Sequence, residues 1–436
     1  MKSHVKNGLV CTVALLGFGV GCREERPMMF EPNLVHTHKY EMKEGFSMAQ
    51  AASDTNWVIA EMFGTPDEPK LPKVITEDDA LKTLVSTENL IKASGPTFEQ
   101  GRGLYREHCA SCHGVTGNGR GLTSAIVNPY PRDYRPGIFK FKTTERGSKP
   151  AREDIARSIR MGISGTAMKP IEGLTEDGVQ ALTDYVIYLS IRGETERTIV
   201  DAAIFELDLE SGEDRIINPD LRDATDEEKK AEFAEQWELI EGTVADISTA
   251  RLEASDAVVE VPSPPADIPV ANNHAEFVKL STGPKAEAVA KSVARGRELF
   301  VGKVASCSKC HGDDGLGNGQ TTDYDDWTKD WTVRIGLDPL KQDDLVPLLA
   351  RGALPPQTIH PRNFAEGYFR GGDSAADLWL RIVQGIEGTP MPASTFVEGE
   401  FEEDDVWHLI NFIRSLQKVE TIEAPPVVEE IKTASR

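Results

Sequence analysis

Apolar positions recur along this chain at helical intervals. Phe233, Trp237, Ile240, Val244 and Ile247 step by four, three, four and three residues, the spacing of one helix face. Thr225 and Asp226 stand just ahead of that run as N-cap residues, and acidic side chains crowd the first turn, where the helix dipole favours them. The spacing predicts an amphipathic helix over residues 226–254, packed against a neighbouring domain. A docking helix for another subunit is the second use such a face allows. Ser263-Pro-Pro-Ala-Asp-Ile-Pro269 then reads as a stiff extended link. Upstream, Asp54-Thr-Asn-Trp57-Val-Ile-Ala-Glu-Met-Phe63 predicts a short bracing helix in an otherwise polar stretch, residues 23–94. At the start, Lys2 and Lys6 precede an apolar run from Gly8 to Gly21. That run is too short to span a bilayer and reads as the h-region of an export signal.

Length and charge narrow the picture. A chain of 436 residues makes roughly three compact units. The net charge of −23 is unevenly spread: residues 201–260 hold 19 Asp/Glu against 5 Lys/Arg, so this stretch alone supplies −14. Such a balance argues against nucleic acid, whose backbone demands Lys and Arg. It suits either a solvated linker or the steering of a basic partner.

The chemistry lies in two short runs, Cys109-Ala-Ser-Cys112-His113 and Cys307-Ser-Lys-Cys310-His311, each continuing into Gly (Gly114, Gly312). C-x-x-C-H is the c-type haem attachment signature: one turn presents two thiols to the two vinyl groups, and the next residue offers an imidazole to the iron. A zinc ribbon needs its second C-x-x-C about 15–20 residues on. Here 194 positions separate His113 from Cys307 (307 − 113). A redox dithiol is expected near a βαβ pattern, and neither run has one. The expected cofactors are therefore two covalently attached haem c groups, held by Cys109, Cys112, Cys307 and Cys310, with His113 and His311 on the irons.

A second repeat supplies the opposite ligand. Asp154-Ile-Ala-Arg-Ser-Ile-Arg-Met-Gly162-Ile-Ser-Gly165-Thr166-Ala-Met168 aligns without a gap on Asp377-Leu-Trp-Leu-Arg-Ile-Val-Gln-Gly385-Ile-Glu-Gly388-Thr389-Pro-Met391. A thioether opposite His is a usual axial pair and raises the potential. Met391 is the only methionine after Met168, so the second repeat has no other thioether. Met168 and Met391 are the expected axial residues; His360 or His408, and in the first repeat His108, are the rivals. Lys169 follows Met168 where Pro392 follows Met391.

On these motifs, residues 95–195 and 284–420 each resemble a class I cytochrome c domain. The shared pattern is a helix before C-x-x-C-H-G, a distal-loop Met and a closing amphipathic helix. The resemblance implies a mainly α fold: two cytochrome c-type helical domains joined by an acidic, partly helical linker, residues 196–283. Gly101-Arg-Gly-Leu-Tyr105 answers Gly296-Arg-Glu-Leu-Phe300, and the closing helices are Ala181-Leu-Thr-Asp-Tyr185-Val-Ile-Tyr-Leu189 and Trp407-His-Leu-Ile-Asn-Phe412-Ile-Arg-Ser-Leu416. The family's close crossing of first and last helices would pair Gly101 with Tyr185 and Gly296 with Phe412. Pro131-Arg132-Asp133-Tyr134 answers Pro361-Arg362-Asn363-Phe364. In related cytochromes such a loop offers a backbone carbonyl to the axial His, and Arg132 and Arg362 would pair with haem propionates.

The distance from His to Met is 55 positions in the first repeat and 80 in the second, the excess lying largely in residues 320–359 with Trp327 and Trp331. Such an insertion reads as a partner-binding loop or a lid, its aromatics covering the haem edge or filling core. Gly19-Val-Gly-Cys22 resembles a bacterial lipobox, with Gly19 where the pattern usually has Leu. Cys11 would leave with the signal, residues 1–22, and residues 421–436 form a tail. The expected product is an exported, periplasmic lipoprotein anchored through Cys22. Its expected function is electron transfer without a small-molecule substrate, between redox protein partners such as a membrane dehydrogenase complex and a terminal oxidase or reductase. The alternatives are a dihaem enzyme such as a peroxidase, which needs one open iron position, and a haem-wiring subunit of a larger membrane oxidoreductase.

Overall fold

The computed structural model describes residues 28–97, 99–209, 214–319 and 323–418. The signal, Cys11, Cys22 and the tail lie outside them. The fold is mainly α, and among the described residues no helix is long and apolar enough to cross a membrane.

The first cysteine motif sits in a module built around the 31-residue helix Glu176–Glu206. Thr175 caps it through Gly178 N–H, and its first turn carries Glu176 and Asp177. From Val179 to Glu196 nearly every side chain is buried, because neighbours cover it on all sides. Helix Thr87–Ala93 lies along it, as do Ala49–Phe63 and Arg152–Met161. The bracing segment is thus a full helix, with the rings of Phe63 and Tyr188 5.9 Å apart.

The linker contains the helix Glu227–Leu252, capped by Asp226 through Glu228 N–H and Lys229 N–H. Ile240 and Val244 are fully covered, and Trp57 meets Phe233 and Trp237 at 6.2 and 5.9 Å between ring centres. Its far end is fixed by charge. Arg251 Nη2 donates to Glu194 Oε1 at 2.5 Å, and Lys149 reaches the other oxygen of the same buried carboxylate. Beyond the helix the chain pairs with the first module, Val259 N–H donating to Thr143 carbonyl at 2.9 Å.

The second module packs Ala286–Val301 across Asp405–Ser415, with Ala375–Gln384 beside them. Gly296 marks the crossing with Phe412: a Cβ built there would lie 2.0 Å from His408 carbonyl oxygen and 2.8 Å from Phe412 Cβ. The first module lacks this crossing. Gly101 is in a turn at φ +78° with nothing within 4 Å of a built Cβ, so the expected pairing of Gly101 with Tyr185 does not form. Pro96 and Gly103 explain the difference. Gly103 adopts φ +86° against the backbone of Pro96 and Thr97, so the helix before the motif shrinks to Leu104–His108. Tyr105 still meets Tyr185, ring to ring at 4.9 Å.

The insertion folds back on its own chain. Asp323–Tyr324 and Thr358–Ile359 form a two-stranded antiparallel ribbon, with helices Asp326–Asp330 and Gln342–Ala350 between its strands in the chain. Trp331, Leu345 and Leu348 enclose a small core with Val35 of the N-terminal helix Leu34–Glu44. Lys39 Nζ and Arg197 both reach Asp330, at 3.0 and 3.3 Å. The N-terminal helix therefore ties the first module's closing helix to the second module's insertion.

Candidate haem sites

Each C-x-x-C-H run ends a single helical turn, Ala110–His113 and Ser308–His311, closed by a glycine at positive φ. Four glycines follow at matching offsets: Gly114, Gly117, Gly119, Gly121 and Gly312, Gly315, Gly317, Gly319. They let the next loop fold tightly over the motif. A Cβ on Gly119 or Gly317 would fall 2.8 or 2.5 Å from the carbonyl of Pro131 or Pro361. The sequence reading missed this lattice, although its H-G-x-x-G-x-G-x-G spacing is plain once the repeats are laid together.

That loop positions the histidines. His113 Nδ1 lies 3.0 Å from Arg132 carbonyl oxygen, and His311 Nδ1 lies 3.2 Å from Arg362 carbonyl oxygen. A carbonyl only accepts, so Nδ1 carries the hydrogen and Nε2 is the free lone pair. Tyr134 and Phe364, two residues beyond each arginine, stack on the imidazoles at 4.9 and 4.6 Å, both tilted 17°. Phe139 and Phe369 continue the stacks. Burial pushes His113 down to about 4 and lowers His311 as well, so both rings are neutral, the form that binds a metal. Among the described residues no disulfide joins the cysteines, and burial raises Cys109 to about 12 and Cys307 to about 11.

The two distal loops share one hydrogen-bond design. Ile163 N–H donates to Met168 carbonyl at 2.8 Å, and Ile386 N–H to Met391 carbonyl at 3.2 Å. The hydroxyl of Thr166 donates to Ile163 carbonyl at 2.7 Å and accepts from Met168 N–H at 3.1 Å. Thr389 does the same with Ile386 and Met391, at 2.7 and 3.2 Å. Glycine is required ahead of each loop: Gly162 and Gly385 have φ +68° and +67°, and their Cβ atoms would strike backbone of residues 168–170 and 392–393. Lys169 in place of proline leaves the first loop with the same pattern. Of the rivals, His360 is exposed beside Thr358, His408 is engaged with Ser292 at 2.8 Å, and His108 lies 3.9 Å from Glu107.

The arginines face the boundary between the modules. Arg132 lies over the Trp327 ring at 3.5 Å from its centre, and Arg362 Nη1 is 3.6 Å from Glu366. Burial lowers Arg132 to about 10, Lys140 to about 8 and Arg370 to about 10. Among the described residues, buried Trp327 Nε1 and Arg370 Nε have no hydrogen-bond partner. Two buried donors without an acceptor, beside cations whose carboxylate neighbours are Asp325 and Glu366, fit a buried anionic group such as a haem carboxylate.

Residues 96–186 match the family described as cytochrome c oxidase, cbb3-type, subunit III, and residues 293–417 match the cytochrome c family. The chain carries two cytochrome c-type domains in tandem. Its two matched segments enclose both cysteine motifs and both methionine loops, apart from the flanking helices. Haem-based electron transfer is the activity these domains imply, with haem c and its iron as the cofactor. Among solved structures, the Kuenenia stuttgartiensis reducing HAO-like protein complex contains a chain with 22% identity and a TM-score of 0.41, covering 77% of this chain and 97% of that chain. No curated protein matches the tandem cytochrome c.

Proposed function

We propose that the tandem cytochrome c carries two covalent haem c groups and passes single electrons between redox protein partners outside the cytoplasm. Residues 95–195 would hold one haem through Cys109 and Cys112, with His113 and Met168 axial. Residues 284–420 would hold the other through Cys307 and Cys310, with His311 and Met391 axial. The observation that supports this best is the duplicated geometry: a histidine with Nδ1 engaged and Nε2 free, and a Thr-braced methionine loop, both built twice. Bound haem supplies a reversible one-electron centre. The residues of the chain would keep it in one ligation state: the carbonyls of Arg132 and Arg362 fix the imidazole planes, and Thr166 and Thr389 brace the methionine loops. Arg132 and Arg362 would meet propionates at the module boundary.

Two complete distal loops favour an electron carrier over a peroxidase, since peroxide chemistry needs an open iron position. The exported location, anchoring through Cys22, and a membrane dehydrogenase complex with a terminal oxidase or reductase as partners rest on the N-terminal pattern and on the chemistry of such haems. The test is an optical spectrum of the exported protein with haem counted per chain. Two haems and a sulfur-to-iron charge-transfer band are expected, and Met168→Ala and Met391→Ala should each lose their part of that band and drop in potential. A high-spin fraction that reacts with peroxide would replace the carrier reading with the enzyme one.

A further inference from the structure

One residue joins the two candidate sites, and neither cysteine motif announces it. Trp327 stands on the short helix Asp326–Asp330 in the second module's insertion. From the first module, Arg132 lies on its ring at 3.5 Å and Lys140 Nζ sits 5.2 Å from the ring centre. Arg132 is also the residue whose carbonyl holds His113. On its other edge the indole presses on the second distal loop: a Cβ built on Gly388 would fall 2.3 Å from Trp327 Cζ3. Asp326 N–H donates to Gly388 carbonyl at 3.1 Å, locking that contact. From His113 the path therefore runs through Arg132, Trp327 and Gly388 to Thr389 and Met391. Each step is covalent, a hydrogen bond or direct packing. The opposite crossing is built alike. A Cβ on Gly165 of the first distal loop would meet Tyr368 Cβ at 3.4 Å and Arg362 Nη1 at 3.9 Å, and Arg362 carbonyl holds His311.

We propose that Trp327 is a positioning residue for electron exchange between the two haem sites, docking the His side of the first against the Met side of the second. The proposal rests on the haem reading above. With haem bound, one electron would pass from the reduced site to the oxidised one, so that the first is oxidised as the second is reduced. No proton moves and Trp327 keeps its own redox state. An aromatic ring suits this place because its face takes the Arg132 guanidinium at 3.5 Å, a contact that an aliphatic side chain cannot make. Asp325, bonded to Lys140 at 3.1 Å, is the ion-pair partner of that lysine. Glycine at 388 is what lets the ring seat: any side chain there would drive the indole off the loop.

The test uses the full-length holoprotein with Trp327→Phe, Trp327→Leu and Trp327→Ala. A Met168→His background separates the spectra of the two sites. After flash photoreduction of one site, the rate of equilibration with the other is read optically, beside a potentiometric titration. Trp327→Phe should equilibrate at close to the parent rate, while Leu and Ala should be several-fold slower with both haems and both spectra retained. Parent-like rates in Leu would overturn the proposal even if Ala fails to fold, and so would equal slowing in Phe and Leu. Fewer than two haems in the parent, or no spectral change with Met168→His, is a separate failure and sinks the haem reading instead.

Discussion

Removing the carboxylate of Glu194 is expected to destabilise the first module more than any single ion-pair deletion on its surface. Glu194 projects from the closing helix into a site with 8% of its side chain exposed, and Arg251 opposite it is 3% exposed. Truncation to Ala leaves Arg251 buried without a counter-charge, since its Nε has no partner of its own. Breaking a buried pair from one side costs about 3–5 kcal/mol. Lys149, 22% exposed, can turn to water and adds little. For a unit of about 150–250 residues, each kcal/mol moves the midpoint by roughly 2–4 °C, so Glu194→Ala should melt about 6–20 °C lower. Denaturant unfolding of the holoprotein, followed by far-UV circular dichroism, checks this. Glu194→Leu combined with Arg251→Met should recover most of the loss, because no unpaired buried charge then remains. A loss below about 1 kcal/mol for Glu194→Ala, or a double variant no better than the single one, would refute the reasoning.

Two further outcomes follow from the same physics. Gly296→Ala and Gly242→Ala should move stability in opposite directions in thermal melts. The first forces a Cβ to within 2.0 Å of His408 carbonyl oxygen and should cost about 1–3 kcal/mol. The second sits in an exposed helical position with nothing within 4 Å and should gain up to about 1 kcal/mol. Acid should loosen the N-terminal clamp through His36, which burial, with Arg197 nearby, pushes down to about 4 while its Nε2 bonds Asp201 at 2.8 Å. Tyr40 shares Asp201, and Lys39 and Arg197 share Asp330 in the same cluster. Between pH 6.5 and 4 the unfolded chain binds this proton and the native one does not. Stability from this group is therefore full above pH 6.5 and falls by about 3 kcal/mol as the pH drops to 4. His36→Gln should flatten that part of the stability-versus-pH curve; an unchanged slope would remove His36 as its source.

Much of each site could be read from the chain because its parts are local. Cys109 to His113 is one turn, and Gly162 to Met168 is a loop closed by its own Thr hydroxyl, so residue type and spacing carry the geometry. The proline loop lies 19 residues from His113 in one repeat and 51 from His311 in the other, yet was legible because it is duplicated. Besides the glycine lattice, two features escaped. Tyr134 and Phe364 look like ordinary core aromatics until the carbonyl two residues earlier is seen bonded to a histidine. Gly101 matched Gly296 by alignment, but Pro96 and Gly103 had already broken the helix that the match required.

The sequence by itself determined the chemistry: two thiol pairs, two imidazoles, two thioether loops, and a helical linker whose apolar face repeats at helix spacing. Only the tertiary structure decided how the two halves meet. The insertion could have been a lid or a partner loop by length and composition alone. It became the element that seats Trp327 between Arg132 and Gly388 because Asp330 and the Trp331 core are held by Lys39, Arg197 and Val35, residues at least 130 positions away in the chain. Spacing rules reach across a turn or a helix face; contacts between such distant segments are fixed by shape and charge that exist only after the chain has folded.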